Sequence, residues 1–130
     1  MGNRVRTWIH ELLRRPPQPT TSTGLHPTEN GLEISPLLGK PSSMFVSWSD
    51  VLKAVTFKRD QYVVDRICLV FELSGDRAIE INEDMLGWQE VVERLPEYLP
   101  GTAPFHEWFQ EVAFPAFATN ARTIFEHGAV

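Results

Sequence analysis

Residues 65–82 read DRICLVFELSGDRAIEIN, and two strands with the turn between them are legible in this stretch alone. Within 66–73 the apolar residues Ile67, Leu69, Phe71 and Leu73 recur at period two, which places them on one face of a strand. Arg66, Cys68, Val70 and Glu72 take the other face, which is half apolar and therefore expected to be partly covered. Ser74-Gly75-Asp76 has hairpin-turn composition. The return strand over 77–82 again sets Ile79 and Ile81 against polar groups on the opposite face.

Downstream, the period changes from two to about 3.6. Trp88, Val91, Val92 and Leu95 form an apolar stripe, which predicts a helix over 84–95 capped by Asn82 or Asp84. Pro96 is expected to end or kink it. A second amphipathic helix is predicted over 104–113, with Phe105, Trp108, Phe109 and Val112 on one face and Pro104 in the first turn. Phe114-Pro115-Ala116-Phe117 breaks that pattern, and 120–126 reads equally as a helical turn or an edge strand.

Upstream, Leu32-Glu33-Ile34 follows the turn signal Asn30-Gly31, and 44–48 is a weakly alternating strand candidate. Ser49-Asp50 resembles a helix start, so one helical turn is expected at 50–54, followed by a strand over 54–58. Residues 59–65 read as a polar connection. Residues 16–31, PPQPTTSTGLHPTENG, have linker composition, and 4–15 carry Trp8, Ile9, Leu12 and Leu13 at helical spacing. The expected organisation is an arm of short helix and linker over 1–30 and one globular domain over 31–130. The arm either frays, docks on the domain or the membrane surface, or joins a second copy into a homo-oligomer.

The 130-residue chain is 42% hydrophobic and 22% charged, ordinary for a globular domain able to bury its own core. Its net charge of −5 disfavours nucleic acid and anionic membrane, both of which need Lys and Arg to neutralise phosphate, and leaves a basic protein partner electrostatically welcome. No apolar run approaches the length of a membrane span. The segment around Trp8 is too short and charged for a signal-peptide core, and Arg6 stands where a myristoylation pattern needs Ser or Thr. A cytoplasmic location is the expectation.

Signatures of chemistry are sparse. His10, His26, His106 and His127 lie in four separate segments, and His106-Glu107 lacks the second His that a zinc-protease helix needs, because Gln110 occupies that position. Lone Cys68 sits mid-strand among aliphatics, as a buried structural thiol does. Neither a nucleophile elbow nor a phosphate-binding glycine loop is present. Glu80, Glu83 and Asp84 cluster at a strand-to-helix junction. There they serve either as caps for helix amides or as an acid/base or cation site. No catalytic residue, metal ligand or cofactor site is assigned. The run Lys58, Arg59, Asp60, Tyr62 and Asp65 is the candidate partner-binding site, with Tyr62 as aromatic anchor. Its structural alternative is a charge-balanced hairpin tip with Lys-to-Asp pairing across strands.

Trp48-Ser49-Asp50-Val51, Val55, Lys58-Arg59-Asp60, Asp65-Arg66-Ile67-Cys68-Leu69, Gly87-Trp88 and Pro115-Ala116-Phe117 together resemble a family of small bacterial proteins. Their strand meander and closing helix are similar to bacterial pleckstrin-homology-like domains. The resemblance covers roughly 31–125 and implies no catalytic residue. The fold class expected from the element order is α+β: an antiparallel sheet of four to five strands packed by the C-terminal helices. Trp88, Phe105, Trp108, Phe109 and Phe117 are the aromatic filling between layers. The function expected is a non-catalytic protein-binding module of immunity or inhibitor type. The alternatives are a binder of small molecules or lipid headgroups, and a carboxylate-dependent enzyme.

Overall fold

A computed structural model describes residues 23–36, 43–60, 65–114 and 120–128. The fold is α+β, as the element order requires, but its strands divide into two antiparallel sheets. The first has the order β1–β2–β3, formed by β1 (Thr23–Pro27), β2 (Gly31–Pro36) and β3 (Met44–Ser47). The second has the order β6–β5–β4–β7, from β4 (Val51–Asp60), β5 (Asp65–Leu73), β6 (Arg77–Asn82) and β7 (Ala121–Glu126). Helices α1 (Trp88–Tyr98) and α2 (Phe105–Ala113) fall between β6 and β7 in the chain. The predicted arm helix over 4–15, its docking and any homo-oligomer it builds lie outside the described residues, as does Phe117.

The hairpin read from 65–82 forms with Leu73 opposite Arg77 and Leu69 opposite Ile81. One face of β5 enters the main core with Leu32, Trp48, Val91, Leu95, Trp108 and Val112, so that core joins both sheets and both helices. Cys68 and Val70, on the other face, close with Phe57 into a second buried cluster. The expected partial cover is therefore nearly complete there.

The domain begins earlier than expected: residues 23–27, assigned to the linker, are strand β1. Leu25 is buried, and β1 pairs with β2 from Thr23 opposite Pro36 to Pro27 opposite Leu32. One buried leucine at the correct parity, with a tight turn behind it, outweighs a linker-like composition. The Thr28 hydroxyl accepts the Asn30 and Gly31 N–H groups to close that turn, and its carbonyl accepts the Trp48 indole N–H at 2.7 Å.

Other boundaries move for local reasons. The helical turn expected at 50–54 is a 3₁₀ turn at Trp48–Asp50, and β4 starts directly after it at Val51, with irregular pairing to β5 between Val51 and Lys53. Helix α1 starts at Trp88 rather than 84, because Leu86 is taken up by β1: the Leu25 N–H donates to Leu86 O at 2.7 Å and the Leu86 N–H to Thr23 O at 3.0 Å. Asn82 caps the preceding turn instead, its Oδ1 accepting the Asp84 N–H. Pro96 lies inside α1, which continues to Tyr98. The last turn is held by the Leu99 N–H donating to Leu95 O and by Tyr98 stacking on Trp48 at 5.1 Å. Residues 121–126 resolve to the edge strand, β7, which pairs with β4 and buries Ile124.

Candidate functional site

The charge cluster read as a recognition loop begins with two buried side chains, Lys58 and Arg59. Lys58 is only 1% exposed and lies on the core face of β4, opposite Ile67. Its ammonium donates to Ala113 O at 2.7 Å and lies 3.5 Å from Asp65 Oδ2. Ala113 is the last residue of α2, so Lys58 satisfies an orphan carbonyl and sets positive charge at the negative end of the helix dipole. The expected Lys-to-Asp pairing across strands is thus present. Asn120 completes the cap, donating to Phe114 O at 2.8 Å and to Glu111 O at 3.2 Å.

Arg59 points to the opposite face. Its side chain lies over the Phe57 ring at 5.5 Å and reaches across β5 to Glu80 on β6. There it makes a bidentate pair, Nη2 to Oε1 at 2.7 Å and Nε to Oε2 at 3.2 Å. The pair roofs the Phe57–Cys68–Val70 cluster. Burial alone would lower the Arg59 pKa; the hydrogen bond and charge of Glu80 outweigh it and raise the pKa. Burial, reinforced by Glu80, pushes the Cys68 thiol well above its ordinary value, so Cys68 is a neutral packing group.

The remaining carboxylates at the strand-to-helix junction are engaged, though not as helix caps. Asp84 pairs with Arg66 at 2.7 Å, and Glu83 Oε1 accepts the Ile67 N–H at 3.0 Å. Arg59 and Arg66 are direct cross-strand neighbours of like charge, and each is answered by its own carboxylate. Asp60 ends β4 opposite Asp65, and Tyr62 lies outside the described residues. The exposed recognition face expected of this cluster is therefore not formed by Lys58 or Arg59, whose buried side chains hold the end of the sheet together. His26, His106 and His127 are exposed and separate. Among the described residues no group of His, Cys, Asp and Glu is placed to hold a metal.

Desolvation raises the Glu83 pKa, with Asp84 adding to the shift and the Ile67 N–H opposing it. A carboxyl group raised on folding binds its proton more tightly in the native state. Its stabilising contribution is complete below the unfolded value of about 4.3 and is lost as pH rises through the folded value. Glu83→Gln keeps the acceptor for Ile67 and removes the ionisation. The melting temperature of the Gln variant should gain on wild type as pH rises from about 4 to 7. The effect is small because the residue is exposed overall. A gap that shrinks over this range, measured by calorimetry at both ends, would contradict the assignment.

Among the described residues, two exposed large apolar side chains stand side by side on β3, where Met44 is 52% and Phe45 57% exposed. Phe45 separates two recesses. One, of about 300 Å³, is apolar at its base, with Val46, Leu73 and Ile79, and carries Asp50 and Arg77. The other, of about 480 Å³, is lined by Glu29, Ser47, Ser49, Trp48 and Tyr98. The Phe45 ring occupies the space above Gly31: a Cβ there would lie 2.6 Å from the ring and 2.2 Å from Val46 O. Glycine at 31 thus lets the ring lie across β2 as a supported ridge. The readable signal was the run Met44-Phe45-Val46: three large apolar residues in a strand cannot all face one core.

These features define a class: an α+β domain whose buried ionisable groups serve its own architecture and whose exposed apolar ridge is flanked by two recesses. Comparison of the chain with protein-family models, curated proteins and solved structures gives no match.

Proposed function

We propose that this protein is a non-catalytic protein-binding module, of the kind that immunity and inhibitor proteins represent, and that its docking surface is the Phe45 ridge. The observation that carries the reading is the pair Met44 and Phe45, adjacent, more than half exposed and bordering two recesses. Large aromatics held rigidly at a surface are the residues that dominate association energies, because they offer wide contact at little entropic cost. Support also comes from the carboxylates that an enzyme reading needs: Glu80 and Asp84 are each held by an arginine, and Glu83 by a backbone amide.

Affinity capture with three immobilised full-length proteins tests the reading. Wild type and Phe114→Ser, the latter altering an exposed aromatic elsewhere, should retain the same protein from a lysate of the source organism. Phe45→Ser should retain about tenfold less or weaker still, the usual cost of removing an aromatic anchor. A protein held equally by all three would show that the ridge is not the docking surface.

A further inference from the structure

We propose that the Phe45 ridge receives an extended, basic segment of another protein, laid along the open edge of β3. This rests on the ridge being the docking surface and adds the chemistry of what docks. The first argument is charge. Glu33 stands opposite Phe45 on β2, Glu29 lines one recess and Asp50 the other. Among the described residues lining the two recesses the single cation is Arg77, and it is already occupied, 4.0 Å from Asp50 and donating to Ser74 O. A lysine or arginine arriving beside Phe45 therefore meets Glu29 and Glu33, with Asp50 balancing Arg77, while an acidic segment is repelled.

The second argument is the strand edge. No described strand pairs along the outer side of β3. The Trp48 N–H donates to Asn30 O, toward β2, and the two-residue repeat of an antiparallel ladder then turns Phe45 and Ser47 the other way. Their backbone groups face the open edge, where an extended segment finds partners for its own. Alternate side chains of that segment would then meet the ridge, with an aliphatic or aromatic group entering the apolar recess and a cation approaching Glu29. Tyr98 is already engaged by Trp48 and by Arg94 at 5.2 Å, so Glu29 rather than the ring attracts the cation. A second copy fits less well: a two-fold contact at this ridge would set Glu29, Glu33 and Asp50 against their own equivalents.

Selection from a phage-displayed library of random octapeptides against the full chain tests the proposal. Enriched peptides should alternate apolar residues with Lys or Arg. A synthetic peptide of the enriched sequence should bind about fivefold more weakly when salt rises from roughly 50 to 300 mM. It should lose about tenfold with Phe45→Ser and a comparable amount with Glu29→Lys. Neutral or acidic peptides that still require Phe45 would overturn the basic segment and leave the docking surface standing. Peptides indifferent to Phe45→Ser would overturn both, and a library yielding no binder overturns the proposal as well. Two results would give the ridge to a different occupant and also overturn it. One is a dimer that Phe45→Ser dissociates in sedimentation. The other is a full chain carrying Trp8→Ser and Leu12→Ser that binds the peptide about tenfold more tightly, which would identify the chain's own basic arm as the occupant.

Discussion

Glu80→Ala is expected to lower the unfolding free energy by about 3 kcal/mol, at the lower end of what breaking a buried ion pair costs. The loss exceeds that of a surface pair because Arg59 stays behind, 7% exposed, stripped of its bidentate carboxylate and lying over Phe57. The Glu80 side chain is 21% exposed, so water reaches the site and offsets part of the penalty. Removing both charges should behave differently. Arg59→Met with Glu80→Leu keeps apolar cover over Cys68 and Val70 and leaves no buried charge of the pair behind, and should recover most of the lost stability. Urea unfolding of Glu80→Ala and of the double variant measures this directly. A double variant no more stable than Glu80→Ala would show that the pair acts through something other than its buried charge.

Gly87→Ala should cost at least about 3 kcal/mol, from two sources that add. Gly87 has φ near +91°, where a side chain is strained, and a Cβ would lie 2.3 Å from Leu25 O. That oxygen belongs to β1, and its approach is set by the parallel bridge between Gly24 and Leu86, in which the Leu25 N–H donates to Leu86 O. Relieving the clash means lifting β1 away from the start of α1, which opens the main core at Leu25 and Trp88. Gly101→Ala separates the two sources: its φ is near +95°, but nothing lies within 4 Å of the added carbon. It should cost only about 1 kcal/mol. Equal losses in the two variants, read from thermal unfolding, would mean that the contact with Leu25 is not tight.

How the candidate site reads from sequence depends on what each residue type reveals locally. The cluster at 58–66 attracts attention because charged residues in a strand pattern are unusual, yet Lys58 is explained by Ala113, 55 residues away, and Arg59 by Glu80, 21 residues away. A carbonyl at a helix end carries no sequence signal, so nothing local announces that Lys58 caps α2. The Phe45 ridge is only partly legible, because the run 44–46 shows that some apolar residue must face outward but not which one. An apolar residue in a strand reads as core, and only the packing of β3 shows that Val46 takes the inward place and Phe45 is left outside.

The sequence by itself determined the period-two faces of β5 and β6, the stripe of α1 and the aromatic face of α2. These are written in the spacing of side chains along a few turns or pleats, and any well-packed fold must honour them. Tertiary structure alone decided that β1 belongs to the domain, that the strands part into two sheets, that β7 returns to the edge of β4, and that Lys58 and Arg59 turn inward. Each of these depends on partners far along the chain, whose closeness follows from how the whole core closes. No single stretch carries that information.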